Sequence, residues 1–287
     1  MPDLPITRRF NRFELKYLLT LKQAQSFKED LLAYVLPDEH GCNQGRYTLT
    51  SLYYDSPDYR CYHEKVDGLR ARRKLRIRYY EDDAVFTDQT PVFVEIKERI
   101  DRITRKRRIL LSYAEALELC NDRHLPARRP QDEDILEELL AFVWEYDLRP
   151  SSIVRYARQA FSGTRFDPGL RITFDTQLAY QIEPLYLHDK PTGLLMLPAN
   201  RVVMEIKIND RIPVWLSDLI AAHNLQIDRI SKYCQSIEMA QNQFCLPINV
   251  RPVETAADIL SSTLSVFNTP EPAVGVRKKN GEKHGDF

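Results

Sequence analysis

Arg73-Lys74-Leu75-Arg76-Ile77-Arg78-Tyr79-Tyr80 places its cations and its apolar residues at alternate positions. A period of two is the signature of a β-strand, whose successive side chains point to opposite faces. From Arg72 to Glu81 one face carries Lys74, Arg76, Arg78 and Tyr80, and the other carries Leu75, Ile77 and Tyr79. Val92 to Arg99 repeats the pattern, with Val92, Val94 and Ile96 opposite Phe93, Glu95, Lys97 and Arg99. Ile103 to Leu111 reads as a hairpin-like return beside it.

The charged face recurs along the chain. Glu-x-Lys occurs in three predicted strands, as Glu14-Leu15-Lys16, Glu95-Ile96-Lys97 and Glu205-Ile206-Lys207. Arg76 with Arg78, and Arg171 with Thr173, add further i, i+2 pairs. The reverse face collects Leu15, Ile77, Ile96, Ile172 and Ile206, expected to pack beneath helices. One such strand would read as a solvated sheet face laced with ion pairs. Five repeating it suggest that the sheet closes and turns its charges into a polar lumen. Unpaired buried cations cost several kcal/mol, so such a lumen calls for a polyanion. Arginine forks match phosphate oxygens, and the interspersed carboxylates suit Mg²⁺ or Mn²⁺.

Outside these strands, Arg9 to Leu19 reads as a strand. Thr20 and Gln23 form a capping box that opens a helix to about Val35, and Pro37 to Gly45 reads as a loop. Arg46 to Tyr54, Leu148 to Phe161, Leu170 to Leu178 and Arg201 to Ile208 are further strands. Helical signals cover Ser112 to about Cys120, Glu133 to Tyr146, Pro213 to His223 and part of Ile230 to Phe244, with a short helical or irregular stretch at Asp58 to Val66. The fold class is therefore α+β: an antiparallel β-barrel or tunnel over 1–250 with helices outside, followed by a disordered tail over 251–287.

Composition narrows the function. The 287 residues hold 41 basic and 41 acidic side chains, so net charge is zero, while cations crowd between Arg70 and Arg108. Local basicity in a neutral protein fits a focused anion site and argues against a nucleic-acid groove. The longest apolar runs are far below a membrane span, and no secretory signal is read at the N-terminus. The five cysteines contain no C-x-x-C pair and fit a cytoplasmic setting. The histidines lack zinc spacing, and neither G-x-x-x-x-G-K-[ST] nor G-x-G-x-x-G occurs. Trp144 and Trp215 are expected in the core, as are Tyr17, Tyr53 and Tyr79 opposite the charges.

Arg12-x-Glu14-x-Lys16-Tyr17, Leu52-Tyr53-Tyr54-Asp55-Ser56-Pro57-Asp58, Arg73 to Tyr79, Glu95-Ile96-Lys97 and Leu148-Arg149-Pro150 occur in this order. Tyr156-x-Arg158, Leu170 to Asp175, Glu205-Ile206-Lys207 and Ser231-Lys232-Tyr233 follow. This series, spanning roughly residues 8 to 240, resembles the VTC (vacuolar transporter chaperone) domain, a family similar to the triphosphate tunnel metalloenzymes. The resemblance implies synthesis of polyphosphate from ATP. It implies phosphate contacts at Lys16, Arg76, Arg78, Lys97, Arg158, Arg171 and Lys232, with Lys106 a further tunnel lysine and Glu205 the metal ligand. Arg155 competes with Arg158, since alternation puts the two on opposite faces. Glu14, Glu95 and Lys207 join the set through the strand pattern, Lys207 either lining the acceptor path or pairing with Glu205. The expected ligands are ATP, inorganic polyphosphate or pyrophosphate, and Mn²⁺ or Mg²⁺, with a membrane-protein partner left open. A tunnel-type triphosphatase and a non-catalytic polyphosphate or inositol-phosphate module are the alternatives.

Overall fold

The computed structural model describes residues 12–39, 42–81, 84–101, 103–126, 132–187, 193–209 and 211–242. The expected tail over 251–287 lies outside the described residues. Within them, one antiparallel sheet of ten strands contains β1 Arg12–Thr20, β2 Val35–Pro37, β3 Arg46–Asp55, β4 Ala71–Glu81 and β5 Pro91–Ile100. It continues with β6 Ile103–Ser112, β7 Arg149–Gly163, β8 Arg171–Gln181, β9 Leu194–Leu195 and β10 Arg201–Asn209. The helices are α1 Leu21–Leu31, α2 Cys42–Gly45, α3 Arg60–Val66, α4 Tyr113–Leu117, α5 Glu133–Glu145, α6 Val214–Ala222 and α7 Lys232–Asn242. Both predicted capping boxes form, Thr20 with Gln23 and Ser112 with Glu115, so α1 and α4 begin where their sequences demand. The segment after α4 does not stay α-helical but widens into a π-helical turn, Glu118–Asp122. No helix among the described residues is long and apolar enough to cross a membrane.

Eight strands run in the order β1-β10-β8-β7-β3-β4-β5-β6, with β2 beside β7 and β9 beside β8. The sheet curls far enough that side chains of β1 and β5 meet, with Lys97 Nζ of β5 2.9 Å from Glu14 Oε2 of β1. Its backbone ring stays open, because β1 and β6 do not pair among the described residues. The free edge of β1 instead takes up the segment before α7. Tyr17 bridges Ile227, and the Asp228 N–H donates to the Lys16 carbonyl at 2.7 Å. The expected closed barrel is thus a curled sheet with an open seam, crossed by the Lys97–Glu14 ion pair and with one short segment seated on the β1 edge.

The apolar faces divide as the alternation requires. Leu75, Ile77, Val92, Val94 and Ile96 pack under Leu136, Leu139, Phe142 and Val143 of α5. On the other side, Ile172, Phe174, Met204 and Ile206 pack under Phe27 and Leu31 of α1 and Leu216 of α6. Each such side chain contributes about 1.5–3 kcal/mol through burial. A third apolar cluster lies on the inner face. There α7 brings Tyr233, Cys234 and Ile237 against Tyr53, Val154, Tyr156 and Val203.

Asp55 at the end of β3 anchors both α3 and α7. Its carboxylate accepts the Cys61 N–H at 2.8 Å and the Tyr62 N–H at 3.0 Å, and also the Tyr233 phenol. Asp55→Ala would strand these donors, and hydrogen bonds to a charged group are worth about 1.5–3 kcal/mol each. A loss of about 3 kcal/mol in urea unfolding is expected. A change too small to resolve would show that Asp55 does not hold the two helices.

Candidate active site

Inside the curl lies a cavity of about 1250 Å³. Thirteen of its lining residues are Lys or Arg and six are Asp or Glu. β1 supplies Glu14 and Lys16, β4 supplies Lys74, Arg76 and Arg78, and β5 supplies Glu95, Lys97 and Arg99. β7 adds Arg158, β10 adds Glu205 and Lys207, and α7 adds Lys232. Arg70, Arg72 and Arg229 extend the same basic lining. The antiparallel registers bring the rows together, with Lys16 opposite Glu205, Glu14 opposite Lys207 and Arg76 opposite Glu95.

Each carboxylate works as a spacer between cations. Glu95, 1% exposed, accepts Arg76 Nε at 2.8 Å and lies 2.6 Å from Arg76 Nη2 and 2.5 Å from Lys106 Nζ. Glu205 lies 2.6 Å from Lys232 Nζ, 3.4 Å from Lys16 Nζ, 3.6 Å from Arg158 Nη2 and 3.8 Å from Lys207 Nζ. Burial alone would push these carboxyls up. The surrounding cations outweigh it and hold Glu95 and Glu205 well below the usual carboxylate range. Burial also lowers Lys207, to about 7, against the pull of Glu205 and Glu14. A cavity with this excess of cations is electrostatically incomplete until a polyanion enters.

The VTC domain model matches residues 11–241, which contain every strand that lines the cavity. The chain belongs to the VTC domain family. Vacuolar transporter chaperone complex subunit 4 of Trypanosoma brucei brucei is 24% identical to it over 83% of this chain, and that of Trypanosoma cruzi is 22% identical over the same share. This chain spans 34% of the length of each. Among solved structures, a candidate adenylate cyclase from Bacillus halodurans has a TM-score of 0.44 at 14% identity, covering 76% of this chain and 92% of its own. A candidate adenylyl cyclase from Hippeastrum, described as having a dominant triphosphatase activity, has a TM-score of 0.43 at 14% identity, covering 83% and 99%.

Within this VTC domain, Lys16, Arg76, Arg78, Lys97, Arg158, Lys207, Lys232, Glu14, Glu95 and Glu205 all line the one cavity. Lys106 stands just behind it, on Glu95 and directly opposite Lys97 in the β5–β6 register. Arg171 is not among the lining residues. Its guanidinium donates to the Tyr47 hydroxyl at 2.8 Å and lies 3.0 Å from Asp38. The choice between Arg155 and Arg158 is settled by phase. Tyr156 and Arg158 face the cavity, while Arg155 pairs with Glu81 at 2.7 and 2.6 Å.

Two aromatic expectations need correction. Tyr53 lines the cavity and accepts a hydrogen bond from Arg76 Nη1 at 3.1 Å, because β3 turns Ser51 and Tyr53 inward. Trp144 is 58% exposed, its ring covered by the Arg123 guanidinium at 4.5 Å rather than by core. Asp175, missed as a site residue, is 0% exposed and holds two of the cavity cations. Its signal was its place two residues beyond Thr173 on the inward face of β8, with Arg158 directly opposite.

Lys106 gives the VTC domain a pH signature. Burial, helped by Arg76 and Arg78, pulls its ammonium down to about 8 despite Glu95. A polyanion favours the protonated form, so affinity gained from Lys106 is present below the free value and declines as pH rises through it. The advantage of wild type over Lys106→Met in binding inorganic triphosphate is expected to shrink about tenfold from pH 7 to pH 9. Calorimetric titrations giving the same advantage at both pH values would remove this assignment.

Proposed function

We propose that this VTC domain transfers the γ-phosphoryl group of ATP to the end of an inorganic polyphosphate or pyrophosphate acceptor inside the basic cavity. One observation supports the reading above all: a strand-walled cavity with twice as many cations as carboxylates. Its volume exceeds that of pockets that hold a single drug-sized ligand, about 300–1,000 Å³, and leaves room for donor and acceptor together.

Phosphoryl transfer demands positioning and charge stabilisation more than covalent help from the protein. In this reading Arg76, Arg78 and Arg158 clamp the triphosphate of ATP. Lys16, Lys97, Lys207 and Lys232 hold the acceptor in line with the γ-phosphorus. An oxygen of the acceptor's terminal phosphate attacks, the bond to the β-phosphate bridging oxygen breaks, and ADP departs. The attacking oxygen is already anionic near neutral pH, so no general base is needed.

The donor set fits a hard divalent ion. Glu205 and Glu14 stand on neighbouring strands, face the same cavity and share Lys16 at 3.4 and 3.2 Å. Mg²⁺ or Mn²⁺ needs only one or two carboxylates where phosphate oxygens and water complete its shell. Bound there, it would neutralise charge on the transferring phosphoryl group. The relatives are described as subunits of a vacuolar transporter chaperone complex, which supports a reading in which this chain works within a multi-subunit assembly.

The deciding experiment incubates purified protein with ATP and Mn²⁺ and resolves the products on a polyacrylamide gel. Long phosphate chains are expected. Free phosphate alone would replace transfer with hydrolysis, and triphosphate binding without turnover would leave a binding module.

A further inference from the structure

The cations that line the cavity have a second layer behind them, and its central member is Asp175. This carboxylate is fully buried and does not border the cavity, yet it meets two groups that do. Its Oδ1 accepts Arg158 Nε at 2.6 Å and its Oδ2 accepts Arg158 Nη2 at 2.7 Å, a two-pronged pairing between residues directly opposite on β7 and β8. Oδ2 also lies 2.7 Å from Lys232 Nζ of α7. Three elements therefore converge on one side chain. Just beyond it the β7–β8 register shifts, with Gln177 at φ +51° on β8 taking up the extra residue.

Resting on the polyphosphate reading above, we propose that Asp175 is a positioning residue that fixes Arg158 and Lys232 at one separation and orientation for phosphate. A guanidinium locked through Nε and Nη2 cannot rotate freely, so the orientation that Arg158 presents to the cavity is preset at little further entropic cost. Lys232 sits on a helix and not on the sheet. Its helix is docked by Tyr233, Cys234 and Ile237, and its ammonium is held against the strands by Asp175 and Glu205. Burial opposes charge on Asp175, but Arg158 and Lys232 prevail and keep it ionised below its usual range.

The proposal makes a prediction of unusual sign. Removing a carboxylate from a polyanion site should tighten binding if only net charge matters. Positioning requires the opposite. Calorimetry with inorganic triphosphate, without metal, is expected to show Asp175→Asn binding about tenfold more weakly than wild type. In an Arg158→Ala background the same change should cost less than about threefold, since the group it orients is gone. A merely structural role would lower the thermal midpoint without that coupling.

Should Asp175→Asn fail to fold, Arg158→Lys keeps every charge while losing the fork, and it should weaken triphosphate binding by about the same factor. Unchanged or tighter binding by a folded Asp175→Asn, full additivity with Arg158→Ala, or unchanged binding by Arg158→Lys would each overturn the proposal. Wild-type protein that binds triphosphate but makes no polyphosphate would remove the polymerase reading and leave these comparisons standing. Wild-type protein that binds no triphosphate would remove both.

Discussion

Arg76→Ala is expected to slow polyphosphate synthesis by about two to three orders of magnitude, the usual effect of deleting one preorganised donor at a reacting oxyanion. The side chain is held by Glu95 through Nε and Nη2 and by Tyr53 through Nη1, so its position is set before substrate arrives. Arg76→Lys keeps the charge and loses the planar fork, and it should recover only part of the rate. An optical titration separates a local effect from unfolding. Burial raises the Tyr53 phenol, yet Arg76 and Arg78 overcome this and bring it down to about 8. Wild-type protein should therefore show one tyrosine ionising early in an absorbance titration, and Arg76→Ala should lose that step while keeping its circular dichroism. A variant that turns over at the wild-type rate would detach Arg76 from the chemistry.

That arginine was legible because β4 obeys a strict alternation and is apolar on its far side. The same reasoning located Glu14, Lys16, Glu95, Lys97, Glu205 and Lys207, since in each strand an apolar residue separates two charges and so fixes the phase. β3 offers no such contrast. Leu49, Ser51 and Tyr53 turn inward while Leu52 and Tyr54 turn outward, and all are buried, so nothing in the sequence assigns Tyr53 to the cavity. Asp175 was hidden for a related reason, being a lone inward carboxylate whose nearest same-face neighbour, Thr173, is uncharged. The strand β2, three residues long, and β9, two residues long, are too short for any period to register. The open seam between β1 and β6 reflects tertiary competition. Residues 227–230 lie some 200 positions from β1, and local sequence does not announce that they take its free edge. Lys232 was legible through family resemblance alone. Its position on a helix docked inside the curl follows from the Tyr233, Cys234 and Ile237 contacts, which no strand pattern encodes.

Glu205→Gln is expected to separate binding from turnover. Glu205 lines the cavity among Lys232, Lys16, Arg158 and Lys207, and these cations hold it ionised well below the usual range. Its contribution to stability is therefore present above the unfolded value near 4.3 and lost as pH falls through the lower folded value. Neutralising it leaves buried cations short of a partner, and breaking a buried pair from one side costs about 3–5 kcal/mol. The free variant should melt roughly 10 °C below wild type, at about 2–4 °C per kcal/mol for a domain of this size. Its acid unfolding should also start from a flatter baseline.

Triphosphate changes the balance. Its oxygens supply the negative charge that glutamine lacks, so the variant should bind metal-free triphosphate at least as tightly as wild type and regain most of its lost melting temperature. Turnover is the property that should not return, because the carboxylate proposed to hold the metal is gone, and a fall of at least about 100-fold in Mn²⁺-dependent chain synthesis is expected. Asp175→Asn and Glu205→Gln each delete one negative charge from neighbouring positions, yet they should move triphosphate affinity in opposite directions. A cavity acting only through its summed charge would move both the same way, and that result would leave no separate role for the residue that borders phosphate and the one that stands behind it.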